Sequence, residues 1–191
     1  MELKYPLVLA SGSPRRKELL EKLQLPFSVE TVEVDETIPE HIKPSKAAIY
    51  LAKVKSEAHS HLAKNQIVIT ADTIVTLNGQ SLGKPSSAEE AVKMLKKLSG
   101  RTHKVITGVC IRLQDQMDVF DVTTKVTFGE LEENDIQTYV QSGNAFDKAG
   151  AYGIQEWIGL IGVKSIEGCY YNVMGLPVFE LYNKLKNFRT H

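Results

Sequence analysis

Apolar and polar positions alternate between strand-like and helix-like periods along the chain. The unbroken apolar run Leu7-Val8-Leu9-Ala10 predicts a short buried strand. Ser13-Pro14 has the chemistry of an N-cap and first helical position, so a helix is expected from there through about Leu23. Phe27 to Val34 alternates as a second strand and delivers Glu33, Asp35 and Glu36 into a Pro-containing loop. Pro44-Ser45 opens a long helix on which Ala48, Leu51, Ala52, Ala58 and Leu62 share one face. Ile67 to Leu82 reads as a β-hairpin with Asn78-Gly79 as a type I′ turn. Ser87 and Glu90 form a capping box for a helix ending near Ser99-Gly100, with Ala91, Met94, Leu95 and Leu98 as its buried stripe. Two long strands, His103 to Leu113 and Met117 to Phe128, are expected to join across Asp115-Gln116, with an amphipathic helix from about Glu132 to Gln141 after them. The Gly-rich segment from Asp147 to Gln155 precedes an expected strand, Gly159 to Ile166, and Tyr171 to Pro177 leads into a last helix, roughly Val178 to Asn187. No repeat or flexible linker interrupts residues 1–191, which predicts a single domain.

The breaks in this pattern carry the chemistry. Alternation places Asp72 on a strand face with Val68, Thr70 and Ile74, where an unpaired carboxylate costs several kcal/mol, so a cation, a metal or hydrogen bonds must compensate it. Lys55 interrupts the apolar stripe of its helix, whereas Lys46, Lys53 and Lys64 point away; Lys55 needs a snorkelling path or an anionic partner. His59 shares that face and reads as a packed histidine. Lys84 sits in a stiff Gly83-Lys84-Pro85 turn. At the start of the first helix, Arg15, Arg16 and Lys17 each oppose the helix dipole by ~0.3–1 kcal/mol. That conflict disappears if Ser11, Ser13, Arg15 and Arg16 cradle a phosphate-rich ligand against the strand-to-helix turn.

Composition narrows the ligand. With 42% apolar residues, the 191-residue chain can bury an ordinary core, and its 23 basic and 23 acidic residues leave no bulk field for generic nucleic-acid or membrane-surface binding. The anion site is therefore local. No apolar stretch is long enough to cross a bilayer and the N-terminus lacks a signal-peptide core, so a cytoplasmic location is expected. Cys110 and Cys169 have neither Cys-x-x-Cys nor zinc-ligand spacing and read as buried, inert thiols. The cations Arg15, Arg16, Lys55 and Lys84, taken with the acids Glu36 and Asp72, suit a polyphosphate bound with Mg²⁺ or Mn²⁺ and attacked by water. Walker, Rossmann and nucleophile-elbow signatures are missing from the sequence. A γ-phosphatase stays open on this cation set.

The segments Ser11-Gly12-Ser13-Pro14-Arg15-Arg16, Ala71-Asp72-Thr73, Gly83-Lys84-Pro85, Lys148-Ala149-Gly150-Ala151-Tyr152-Gly153-Ile154-Gln155 and Gly175-Leu176-Pro177, five in order over nearly the whole chain, resemble the Maf family of nucleoside triphosphate pyrophosphatases. The resemblance implies an elongated α/β fold with a mixed central sheet, flanking helices and two lobes around a cleft, related to the inosine triphosphate pyrophosphatases. It implies hydrolysis of a nucleoside triphosphate to monophosphate and diphosphate with a divalent metal, a house-cleaning role, a link to septum formation, and homodimers. Residue by residue, it makes Asp72 the proton acceptor and Glu36, Lys55 and Lys84 its other charged cleft positions; on the residues' own chemistry Asp72 is either that base or a metal ligand, Glu36 is a second metal candidate, and Lys55 and Lys84 stabilise developing charge. Arg15, Thr73 and Gln155 match the specificity positions of the branch acting on dTTP and UTP. Glu156 departs from the family pattern, where Gly is common after the Gln. The rival reading is a non-catalytic regulator of cell division that binds a nucleotide or nucleic acid; the acids Glu36 and Asp72 argue against it because they repel a polyanion.

Overall fold

A computed structural model describes residues 1–190. Along the chain run β1 (Leu7–Ala10), α1 (Pro14–Glu21), β2 (Phe27–Glu30), α2 (Pro44–Ala58), β3 (Ile67–Leu77), β4 (Gln80–Leu82), α3 (Ala88–Leu98), β5 (Thr102–Leu113), β6 (Gln116–Phe128), α4 (Glu133–Gln141), α5 (Trp157–Gly162), β7 (Val163–Glu167), α6 (Tyr170–Met174) and α7 (Val178–Leu185). Hydrogen-bonded neighbours give the strand order β2-β1-β3-β5-β6-β7, with β4 on β3. Parallel β1–β2 and β1–β3 pairs and antiparallel β3–β4 and β6–β7 pairs make the sheet mixed, as expected. The chain forms two compact units. The first takes Met1–Asp72, Thr107–Val122 and the segment from Gly175 onward, and the second takes Thr73–Ile106 and Thr123–Met174.

In the first unit β1 pairs with β2 on one side and β3 on the other (Leu7↔Phe27, Leu7↔Ile67), and all four of its residues are buried. Parallel neighbours need a crossover: α1 carries the chain from β1 to β2, and α2 carries it from β2 past β1 to β3. Two features hold α2 in place. The buried Thr70 hydroxyl on β3 donates to the Ala52 carbonyl at 2.7 Å. Gly108 on β5 lets the helix backbone come so close that a Cβ there would lie 2.4 Å from the Ala48 carbonyl carbon. Lys4 N–H donates to the Phe188 carbonyl at 2.8 Å and Leu3 bridges Arg189, joining early and late segments. Cys110 is buried, and burial pushes its thiol pKa up, as expected of an inert thiol; Cys169, in the second unit, is only partly buried.

In the second unit the β3–β4 hairpin closes in register from Val75↔Leu82 to Leu77↔Gln80, with Asn78 and Gly79 at φ 51° and 80°, the type I′ signature. At α3, Ser87 Oγ accepts the Glu90 N–H at 3.2 Å, but the Glu90 carboxylate accepts from Ser86 N–H and O–H, at 2.7 and 2.6 Å. The capping box is thus displaced by one residue on its return side. His103, Phe128 and Tyr152 stack edge to face, with His103 Nε2 2.7 Å from the Tyr152 hydroxyl. Burial lowers the His103 pKa to about 4 and pushes the Tyr152 hydroxyl upward.

Several expected boundaries move. β2 stops at Glu30, and β5 and β6 turn at Gln114-Asp115, with Gln114 at φ 55°, so Gln116 already belongs to β6. The expected strand from Gly159 is a helix, α5, as far as Gly162; only Val163–Glu167 is extended. A Cβ at Gly159 would fall 2.0 Å from the Ile154 carbonyl oxygen, so the glycine serves a tight helical return onto that loop. Tyr170–Met174 is also helical, and α7 ends at Leu185 before a 3-10 turn, Lys186–Phe188. Among the described residues no helix is long and apolar enough to cross a membrane.

Candidate active site

The strand-to-helix turn has the capping geometry its sequence predicts. Ser13 is extended (φ −76°, ψ 117°), its Oγ accepts the Arg16 N–H at 3.5 Å, and Pro14 begins the helix. Ser11 Oγ accepts from Ser13 N–H and from Arg16 Nη1, both at 3.3 Å. Arg16 Nε donates to the Gly175 carbonyl at 2.8 Å, so the guanidinium is held from two sides. Burial lowers the Arg16 pKa; the Asp72 carboxylate opposes that shift, Arg15 adds to it and Glu36 opposes it more weakly. The guanidinium therefore lies in the field of both acids singled out from the sequence.

Those acids share one lysine. Lys55, near the end of α2, places its Nζ 2.6 Å from Asp72 Oδ1 and 2.9 Å from Glu36 Oε1. The Lys55 and Asp72 side chains are 15% and 11% exposed, while that of Glu36, on the loop after β2, is 51% exposed. The compensation that Asp72 requires on its apolar strand is thus supplied by the residue that interrupts the apolar face of α2, and Thr70–Ala52 fixes the two elements against each other. His59 is buried, and its Nδ1 is 2.7 Å from the Lys55 carbonyl, which it can reach only as a donor. This packed histidine steadies the last turn of α2.

Among the described residues no group of three His, Cys, Asp or Glu side chains forms a metal cage. Glu36 and Asp72, two carboxylates on one ammonium, still fit a divalent ion that takes one or two protein oxygens and fills its coordination from phosphate and water.

The second unit holds Thr73, Lys84 and Gln155. Thr73 is partly buried and follows Asp72 along β3. Lys84 is exposed beside buried Pro85, and the neighbouring Gly83 carbonyl accepts the Gly150 N–H at 3.0 Å, which ties this turn to the Gly-rich segment. Gly150 there has φ 72°. Gln155 occupies the third position of a turn closed by the Glu156 N–H and the Gly153 carbonyl at 3.1 Å; its Oε1 is buried and accepts no hydrogen bond within the protein. Ser11, Ser13, Arg15, Arg16, Glu36, Lys55 and Asp72 all belong to the first unit. The Gly175 carbonyl that fixes Arg16 is not foreseeable from residue type, and neither is the contact of Glu156 with Lys148 and Tyr139. Glu156, standing where the family pattern commonly has Gly, is the visible signal for the latter.

This mixed-sheet fold defines an α/β protein whose first unit gathers Arg16, Lys55, Asp72 and Glu36 in one charged cluster. The fold is similar to that of the Staphylococcus aureus Ham1 protein, with a TM-score of 0.56 and 21% identity over 95% of this chain and 98% of that one. The family model described as Maf-like protein matches residues 6–188, and the chain belongs to that family. It is 48% identical over 189 residues to the dTTP/UTP pyrophosphatase of Porphyromonas gingivalis, covering 97% of this chain and 95% of the relative. It is also 48% identical over 183 residues to the enzyme of the same name from Christiangramia forsetii, covering 95% and 93%.

Proposed function

We propose that this chain is a nucleoside triphosphate pyrophosphatase that hydrolyses dTTP and UTP to the monophosphate and diphosphate. The observation that carries the reading is the joint placement of two cations and two acids in the first unit: Lys55 between Asp72 and Glu36, and Arg16 in the field of both carboxylates. Simple capture of a polyanion gains nothing from carboxylates, whereas holding a cation or accepting a proton requires them. Near-full-length relatives named for this activity support the substrate class.

In this reading the triphosphate accepts from the Ser11 and Ser13 hydroxyls, from Arg15 and Arg16, and from the free N–H groups at the start of α1. Arg16 is already fixed by Gly175 and Ser11, so it loses little freedom on binding. Water attacks the α-phosphorus and Asp72 accepts its proton; the bond to the bridging oxygen breaks, and diphosphate leaves with the electron pair. Lys55 and Lys84 balance the negative charge that develops. Glu36 would hold Mg²⁺ or Mn²⁺, with Asp72 its second ligand as the alternative to the base role, and the ion when bound supplies phosphoryl polarisation and charge neutralisation. Arg15, Thr73 and Gln155 select the base: the Gln155 amide donates to one pyrimidine carbonyl while its buried Oε1 accepts from the ring N–H. Such a reaction acts on the cytoplasmic nucleotide pool.

The test is product identity. Purified protein incubated with UTP or dTTP and Mg²⁺ or Mn²⁺ is expected to release UMP or dTMP with diphosphate, resolved by ion-exchange chromatography. Release of UDP and free phosphate, or no turnover with either metal, overturns the proposal.

A further inference from the structure

The turn that carries Gln155 is gripped at both ends by one hydroxyl. The Gly153 N–H donates to Tyr139 Oη at 3.2 Å, and the same Tyr139 O–H donates to the Glu156 carboxylate. The other Glu156 oxygen lies 2.8 Å from Lys148 Nζ, which also donates to the Asn144 carbonyl and to Asp147 Oδ1, each at 2.6 Å. Lys148 and the Tyr139 ring are buried. The packing leaves no slack: a Cβ on Gly153 would meet Glu156 Cδ at 2.7 Å and Lys148 Cε at 2.9 Å. Burial and the adjacent carboxylate both push the Tyr139 hydroxyl pKa up, so it remains a donor.

We infer that Tyr139, Glu156 and Lys148 form a clamp that sets the direction of the Gln155 amide, making them positioning residues for base selection. Gln155 sits between the two gripped backbone positions, and its buried Oε1 accepts no hydrogen bond from the described residues, which leaves it available to a ligand N–H. An amide reads a base edge only if its two ends are held in one orientation, because rotation exchanges donor and acceptor. The inference rests on the functional reading above for the identity of the ligand.

UMP and GMP are suitable probes, because they carry the base without a bond to hydrolyse. Trp157, the only tryptophan of the chain, begins α5 directly after Glu156 and reports the turn by its fluorescence. The wild-type protein is expected to bind UMP in preference to GMP with a change in Trp157 emission. Tyr139→Phe and Glu156→Ala, checked for folding by circular dichroism, are expected to lower that preference about tenfold, the weight of one hydrogen bond. The kcat for UTP should change less than about threefold while KM rises. Glu156→Gln, which still accepts from Tyr139, should recover part of the preference. An unchanged UMP-to-GMP ratio in the folded variants, a wild-type protein without preference, or equal losses of kcat and affinity for every nucleotide overturns the clamp. Failure of the wild-type protein to hydrolyse UTP would instead sink the functional reading, and the UMP-to-GMP ratio would still decide the clamp.

Discussion

Gly108→Ala tests how strictly the seat of α2 controls the charged cluster. A methyl group at this position would lie 2.4 Å from the Ala48 carbonyl carbon, 2.5 Å from its oxygen and 2.5 Å from the Ile49 nitrogen. Ordinary contact needs about 3.4 Å, so helix and strand must separate by about 1 Å, and backbone atoms cannot rotate aside as a side chain would. Overpacking of this kind costs about 1–3 kcal/mol. Lys55 lies about two turns further along α2, and its 2.6 Å contact with Asp72 does not survive a displacement of that size. Misplacement by about 1 Å is expected to lower kcat/KM about a hundredfold. Urea unfolding followed by circular dichroism gives the first quantity, and steady-state UTP hydrolysis gives the second. Gly83→Ala is the stability control: no atom lies within 4 Å of the added methyl and φ is not positive, so its stability should stay within about 1 kcal/mol of wild type. A Gly108→Ala protein with wild-type unfolding midpoint and wild-type kcat/KM would refute the argument that helix seating governs the site.

Further expectations concern single groups. Asp72→Asn should cut UTP turnover by about 10²-fold or more while circular dichroism stays native, since Lys55 keeps Glu36 at 2.9 Å; substantial residual turnover would remove Asp72 from the mechanism. Ser13→Ala should cost about 1 kcal/mol through loss of the cap to Arg16 N–H, read as a lower urea midpoint, and should raise KM. His103 has a pKa of about 4 in the folded chain, below the ordinary 6.5, so the unfolded chain takes up its proton first as pH falls. Its contribution is intact above pH ~6.5 and is lost between there and about 4, roughly 3 kcal/mol in all. The gap between wild type and His103→Gln in urea midpoint should therefore narrow across that interval; parallel curves would refute the assignment.

Much of this architecture is legible because the signals are local. Asn78-Gly79 fixes its hairpin by demanding positive φ, and Asp72 and Lys55 are each conspicuous as a charge in an apolar pattern. That they answer one another follows only from the seating of α2 on β3. The apolar run from Gly159 to Val163 misleads because a short run without polar alternation suits strand and helix alike; Leu160, 79% exposed, has no counterpart in a buried strand. Gly108 is a lone glycine inside a strand, a sign of close backbone approach, but the backbone it admits is remote in sequence. The displaced capping bond of Glu90 shows a motif correct in residue type and shifted by one position, because Ser86 offers two donors where Ser87 would offer one.

The bond from Arg16 to the Gly175 carbonyl joins residues 159 apart, and the whole second unit is encoded between them. On the ribosome the Ser11–Arg16 turn emerges early, but the carbonyl that orients its guanidinium is synthesised only after Met174. A nascent chain thus completes the second unit before the first unit can close. A chain without Gly175 loses the bond that holds the Arg16 Nε.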